Sequence, residues 1–259
     1  MLLRCVLIFG LACPLCAQER KWEDVLAEAR VSSGVWESIT GAGEIGLFRG
    51  DFTVALNIVL HTTLERRPDG SLHRSQHTYI QAESTIYADA PRYCGEKAYD
   101  VETRTVKVDD CIGMKLQVTL AEDGERMLGE VQLNERKVPV EFRRVSTSRS
   151  EADPFQGTWT VTDKELDRRV TFHVSALKSG KIALTRDRFD HPEQPEFVSL
   201  AEPWQGQIVG NRLTGMAMRS AFNNTDFSAE VTEDGELLRI SRCGGSMGAV
   251  CPAELARER

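Results

Sequence analysis

Phe155-Gln156-Gly157-Thr158-Trp159-Thr160-Val161 has an earlier counterpart in Phe48-Arg49-Gly50-Asp51-Phe52-Thr53-Val54. Both strings run aromatic, Gly, aromatic at every second position and then close on Thr-Val. The correspondence continues downstream. Ile58-Val59-Leu60-His61-Thr62 is answered by Thr171-Phe172-His173-Val174, and each is followed by a glycine turn, Asp69-Gly70 and Ser179-Gly180. Glu122-Asp123-Gly124-Glu125 returns as Glu233-Asp234-Gly235-Glu236. Three signals in one order, at an offset of roughly 110 residues, are the mark of an internal repeat. The sequence therefore predicts two tandem copies of one domain, over 48–145 and 155–259. The run 146–154, Ser-Thr-Ser-Arg-Ser-Glu-Ala-Asp-Pro, is polar, lacks apolar periodicity and ends in proline, which is linker composition.

Within each copy the period is two. Phe52, Val54, Leu56, Ile58 and Leu60 alternate with Asp51, Thr53, Ala55, Asn57 and His61, with Val59 out of phase. Val170, Phe172, Val174 and Ala176 alternate with Arg169, Thr171, His173 and Ser175. Such alternation marks strands with one buried face, and turn signals at close intervals between them predict an all-β barrel or sandwich. Pro139 cannot donate to a ladder and belongs on an edge or at a bulge. One segment has a helical period: Trp22, Val25, Leu26 and Ala29 share a face over 19–30. Residues 18–47 thus read as a short helix and lead-in, the helix docking on a barrel or meeting a partner.

Residues 1–17 have the parts of a cleavable signal peptide: Arg4, an apolar run from Cys5 to Leu15, and the junction Leu15-Cys16-Ala17 before Gln18. The run is shorter than the ~20 residues a membrane span needs. Later segments are not apolar for long enough to span either, so a secreted or periplasmic location is expected. The chain carries 32 basic and 39 acidic residues, net −7, with the signs interspersed. That balance argues against nucleic acid as a partner. Cys94, Cys111, Cys243 and Cys251 remain after the signal. Their even number in an oxidising compartment predicts disulfides, paired locally as Cys94–Cys111 and Cys243–Cys251. No Cys-x-x-Cys spacing supports zinc.

Gly157-Thr158-Trp159 resembles the Gly-x-Trp opening of lipocalin-like (calycin) barrels, and Thr225-Asp226-Phe227 is similar to that family's later Thr-Asp-Tyr turn. Gly50 and Phe52 stand where the Gly and Trp of the first copy would be. The tail of the first copy, 122–144, also looks like the end of small β-domains that accompany secreted bacterial hydrolases. The resemblance implies two small antiparallel barrels in tandem, with the Trp closing one end and many relatives holding small apolar ligands inside.

Several strings resemble chemical motifs and fail on context. Gly41-Ala42-Gly43-Glu44-Ile45-Gly46 fits a dinucleotide fingerprint, but an extended strand follows it instead of a helix. Gly244-Gly245-Ser246-Met247-Gly248 fits a nucleophile elbow, but no histidine lies beyond His191 to serve it. His61, His73 and His77 are the candidate metal ligands. His61 falls with Asn57 on the polar face of its strand, so exposed imidazoles are expected instead. Asn223-Asn224-Thr225 is a glycosylation acceptor only in a eukaryotic host. No catalytic residue, metal ligand or cofactor is therefore assigned.

The expected function is non-enzymatic binding of an apolar small molecule or a protein partner. The alternatives are an accessory module with filled barrels and a hydrolase using acidic residues. For a small ligand the site expected is in the second copy, at Trp159, Phe172, Val174, Trp204, Met216 and Met218, because aromatic and Met side chains suit an adaptable apolar pocket.

Overall fold

The structure is a computed structural model that describes residues 21–40, 53–84, 92–96, 98–111, 113–148, 153–217, 226–243 and 254–258. The expected signal peptide lies outside them. So do Gly50, Phe52, Met218, Cys251 and the side chain of Cys243.

After one helix, α1 (Trp22–Val31), the described residues form antiparallel strands. The later half consists of β10 (Gly157–Asp163), β11 (Arg168–Ala176), β12 (Ile182–Asp190), β13 (Phe197–Val209), β14 (Arg212–Ala217), β15 (Asp226–Val231), β16 (Leu237–Cys243) and β17 (Glu254–Arg257). Each pairs with the next, and β17 returns to β10 through Trp159↔Arg257 and Thr160↔Ala256. The result is a closed eight-strand antiparallel barrel, an arrangement in which no sheet edge is left open.

The earlier half comprises β1 (Gly34–Ser38), β2 (Thr53–Arg66), β3 (Leu72–Ser84), β4 (Arg92–Glu96), β5 (Tyr99–Asp100), β6 (Thr105–Cys111), β7 (Met114–Leu120), β8 (Arg126–Leu133) and β9 (Arg136–Arg144). β1 pairs on one side with β2 and on the other with β9. The stretch before residue 48, expected as a lead-in, therefore supplies a strand to this sheet. Pro139 pairs only across to Glu130, and the β1 ladder reaches β9 only at Phe142, Arg143 and Arg144, so the proline sits where no donor is needed.

Two separate apolar cores follow from the alternation. Trp36, Leu56, Ile58, Leu60, Ile80 and Phe142 are fully buried in one, and Trp159, Phe172, Val174, Trp204, Leu213 and Phe227 lie in the other. β7 shows the pattern most simply, with every second residue from Met114 to Leu120 buried.

The same device recurs at the start of each half. The indole N–H of Trp36 donates to the Gly124 carbonyl at 3.0 Å, and that of Trp159 to the Phe155 carbonyl at 2.8 Å. Arg144, at the end of β9, lies over Trp36, and Arg257, at the end of β17, lies over Trp159. Arg144 donates to the carbonyls of Val31 and Ser33, and Arg257 to those of Pro154 and Gln156. In both halves these carbonyls stand three residues and one residue before a glycine with strongly positive φ, Gly34 at 146° and Gly157 at 147°. A side chain at either would be strained. Gly34-Val35-Trp36, and not Gly50 with Phe52, is therefore the first-half counterpart of Gly157-Thr158-Trp159.

The halves are joined by more than the 146–154 stretch. Residues 62–65 of β2 pair with residues 197–200 of β13. α1 docks over this junction, where Trp22, Val25 and Ala29 pack with Leu64, Phe189, Val198 and Leu200. Glu28 of the helix forms an ion pair with Arg74 at 2.8 Å. No helix among the described residues is long and apolar enough to cross a membrane.

This joint overturns one expectation. His61 and Asn57 are not exposed: they are 4% and 0% accessible, because the polar face of β2 is turned toward the other half. His61 Nε2 meets Ser199 Oγ at 3.0 Å. The out-of-phase Val59 belongs to the same joint, packed with Val35, Leu177 and Ala183. The disulfide Cys94–Cys111 is formed.

Candidate functional site

A cleft of about 1320 Å³ opens beside the closed eight-strand barrel. Its floor is built by strand alternation. Ile182 and Leu184 of β12, Trp204 and Ile208 of β13, and Val231 of β15 point the same way as the barrel core and reach the cleft at the end where the chain enters β10. Three turns shape the rim: Gly180 in the β11–β12 turn, Gly210-Asn211 between β13 and β14, and residues 232–235 between β15 and β16. The last turn is held by Asp234, whose carboxylate accepts the Thr232 hydroxyl at 2.6 Å and the Glu236 N–H at 3.0 Å. The Thr232 hydroxyl and then that N–H hold the Asp234 carboxyl below the usual carboxylate range.

The cleft stops where the barrel is packed. Gly206 and Gly215 face each other across β13 and β14. A Cβ on Gly215 would stand 2.3 Å from the Phe227 ring, and one on Gly206 would stand 2.8 Å from Leu184. Side chains therefore press on the bare backbone at this level. Phe172, Trp204 and Phe227 fill the space, with ring centroids 5.2–5.7 Å apart. Arg186 lies over the Trp204 ring and is buried in a pair with Glu202, the Arg186 Nε to Glu202 Oε2 distance being 2.9 Å.

The expected site residues divide accordingly. Trp204 and Met216 line the cleft. Trp159, Phe172 and Val174 are in the packed core, each with no accessible surface. Met218 lies outside the described residues. The first half contributes lining that the sequence did not point to, namely Val35, Val59 and Gln81. The one available signal was Val59, an apolar residue out of phase in β2.

No family model, curated protein or solved structure matches this chain.

Chemistry-bearing groups elsewhere form one notable chain. His173 Nε2 meets Asp187 Oδ2 at 3.0 Å, while Nδ1 meets Thr158 Oγ1 at 3.3 Å. Burial pushes the His173 pKa down, but the hydrogen bond and charge of Asp187, with Glu258, outweigh it, and the net shift is upward. The Asp187 carboxylate also accepts the Ala201 N–H at 2.7 Å, at the residue where β13 bends with φ of 55°. This imidazole and carboxylate pin the outer faces of β10–β13 together, away from the cleft lining. His61 and His77 lie across from each other with rings 5.5 Å apart. Among the described residues no group of three or more His, Cys, Asp or Glu is placed to hold a metal ion.

Proposed function

We propose that this is a secreted or periplasmic binding protein built of two tandem lipocalin-like barrels, and that it takes an apolar small molecule at the cleft of the second barrel. The tandem reading rests on the matched Trp–Arg devices of Trp36 with Arg144 and Trp159 with Arg257. The binding reading rests on the cleft itself: its volume exceeds that of a typical small-ligand pocket, and Ile182, Leu184, Trp204 and Ile208 give it an apolar wall. Native mass spectrometry of the protein exported by its own host, followed by tryptophan fluorescence with a panel of fatty acids, retinoids and sterols, tests it. A retained small-molecule mass or a saturable fluorescence change supports the reading, and a blank in both removes it.

A second reading is favoured by the Gly206–Gly215 pair, where no room remains for a methyl group. On that reading the barrels are filled and the chain is an accessory module for another secreted protein. A blank ligand panel is its expected result.

A further inference from the structure

The face of β2–β4 turned away from the apolar core carries a row of ligating groups that the cleft does not use. His61 of β2 stands directly opposite His77 of β3, and His77 directly opposite Glu96 of β4. Side chains in such register project to the same side of the sheet. Neither histidine lines the cleft. Exposure is the ground on which the sequence argues against a metal at these imidazoles, and the structure removes it for His61. That residue is 4% accessible, and its Nε2 meets the Ser199 hydroxyl oxygen of β13 at 3.0 Å.

The two rings are spaced for a shared ion. Their centroids are 5.5 Å apart and their planes incline by 31°. Two imidazoles bound to one ion at about 2.0–2.1 Å per nitrogen, in a tetrahedral arrangement, put their centroids roughly 5 Å apart. A small side-chain adjustment therefore closes the pair on an ion. The Ser199 contact supplies what a coordinating histidine characteristically has, a hydrogen bond at its other ring nitrogen, and leaves Nδ1 of His61 as the ligating atom. The Tyr93 ring is 5.8 Å from that of His77, the Tyr79 ring 6.5 Å from that of His61, and the two tyrosine rings are 5.6 Å apart. They wall one side of the histidines and limit how far the imidazoles swing. Glu96, which ends the row, accepts the Ser75 hydroxyl at 3.3 Å, and among the described residues no third ligand is in place.

We propose that His61 and His77 form a two-imidazole clip for a divalent transition-metal ion of the copper–zinc class, with water in the remaining positions and Ser199 as the positioning residue for His61. Imidazole ligands suit Cu(II), Ni(II) and Zn(II), with Cu(II) held most tightly, whereas calcium and magnesium take oxygen ligands. Ser199 lies on the strand that joins the two halves, so the clip is complete only where β2 and β13 are paired.

The test titrates Cu(II) into the full chain by calorimetry and reads its ligands by pulsed electron paramagnetic resonance, with Ca(II) as the oxygen-seeking control. A single tight Cu(II) per chain is expected, its spectrum carrying the modulation of two imidazoles, with no uptake of Ca(II). His77→Ala is expected to weaken that site by about tenfold or more, and Ser199→Ala by about tenfold, while Ser199→Thr, which keeps the hydroxyl, retains it. His73→Ala and His191→Ala should bind as the wild type does, and urea unfolding confirms that each variant is folded. An unchanged tight site in His77→Ala, an equal loss in His73→Ala, or a wild-type spectrum without two imidazoles overturns the clip. The wild-type spectrum decides the question even where a variant fails to fold. Unchanged affinity in Ser199→Ala overturns the positioning role. Apolar-ligand binding in the cleft is tested separately, and its outcome does not depend on these.

Discussion

The Arg257 guanidinium carbon lies 4.2 Å from the centroid of the Trp159 ring, joining the last strand of the closed barrel to its first. Its counterpart, Arg144, lies over Trp36 at 4.4 Å and also donates to the Gly124 carbonyl at 3.1 Å. Burial pulls the Arg144 pKa down, against the nearby charge of Glu125. Arg144→Ala is therefore expected to destabilise by about 3 kcal/mol, from lost charged hydrogen bonds and ring contact. Arg257→Ala, which removes the matching ring contact and carbonyl bonds, should cost a similar amount. Urea unfolding of the two variants checks this, and a loss below about 1 kcal/mol in either contradicts the structural role of the Trp–Arg device.

Gly215 has no room for a side chain, since its Cβ would meet the Phe227 ring. Gly215→Ala is expected to cost about 2 kcal/mol through overpacking. Phe227→Leu costs stability by itself but makes room, so the double variant should be less unstable than the sum of the two. A double-mutant cycle by urea unfolding measures this coupling, and strict additivity argues against the packed interior.

The pH dependence of stability should report His173. Its folded pKa is raised above the unfolded value of 6.5, so the folded state holds the proton more tightly. The stabilisation is complete below about pH 6.5 and is lost as pH rises through the folded value. Replacing His173 by Asn should therefore reduce stability most near pH 5.5 and progressively less toward pH 9, at about constant salt. A deficit that grows with rising pH contradicts the assigned ion pair with Asp187.

The Cys94–Cys111 bridge closes a short loop, with a sequence separation of 17. Replacing both by Ser is expected to lower stability by about 3 kcal/mol. Non-reducing peptide mapping should recover this pair, and should recover Cys243 joined to Cys251. A bridge crossing 146–154 contradicts the local pairing.

What the sequence revealed and what it hid have the same origin. Strand alternation depends on neighbours two residues apart, so the inward faces of β2 and β11 were legible. The carboxylate turns at 122–125 and 233–236 were equally local. The start of the first half was misplaced because Phe48 and Phe155 offered a tempting match. Gly34-Val35-Trp36 becomes recognisable only once Arg144 is seen over the ring, more than a hundred residues on. His61 and Asn57 looked solvent-exposed because a polar strand face reads that way unless another sheet covers it. Val59 was the single residue that betrayed the cover. Gln81 gave no signal, since its place beside the cleft depends on how the two halves of the chain meet.

Photolabelling tests the central claim most directly. The full chain is irradiated with a diazirine-bearing fatty acid, and the labelled peptides are mapped by mass spectrometry. Label is predicted on β12 and β13, at Ile182, Leu184, Trp204 and Ile208, and is suppressed by excess unlabelled fatty acid. Label spread without competition, or confined to the outer face of β7–β9 around Leu128 and Pro139, contradicts the assigned site.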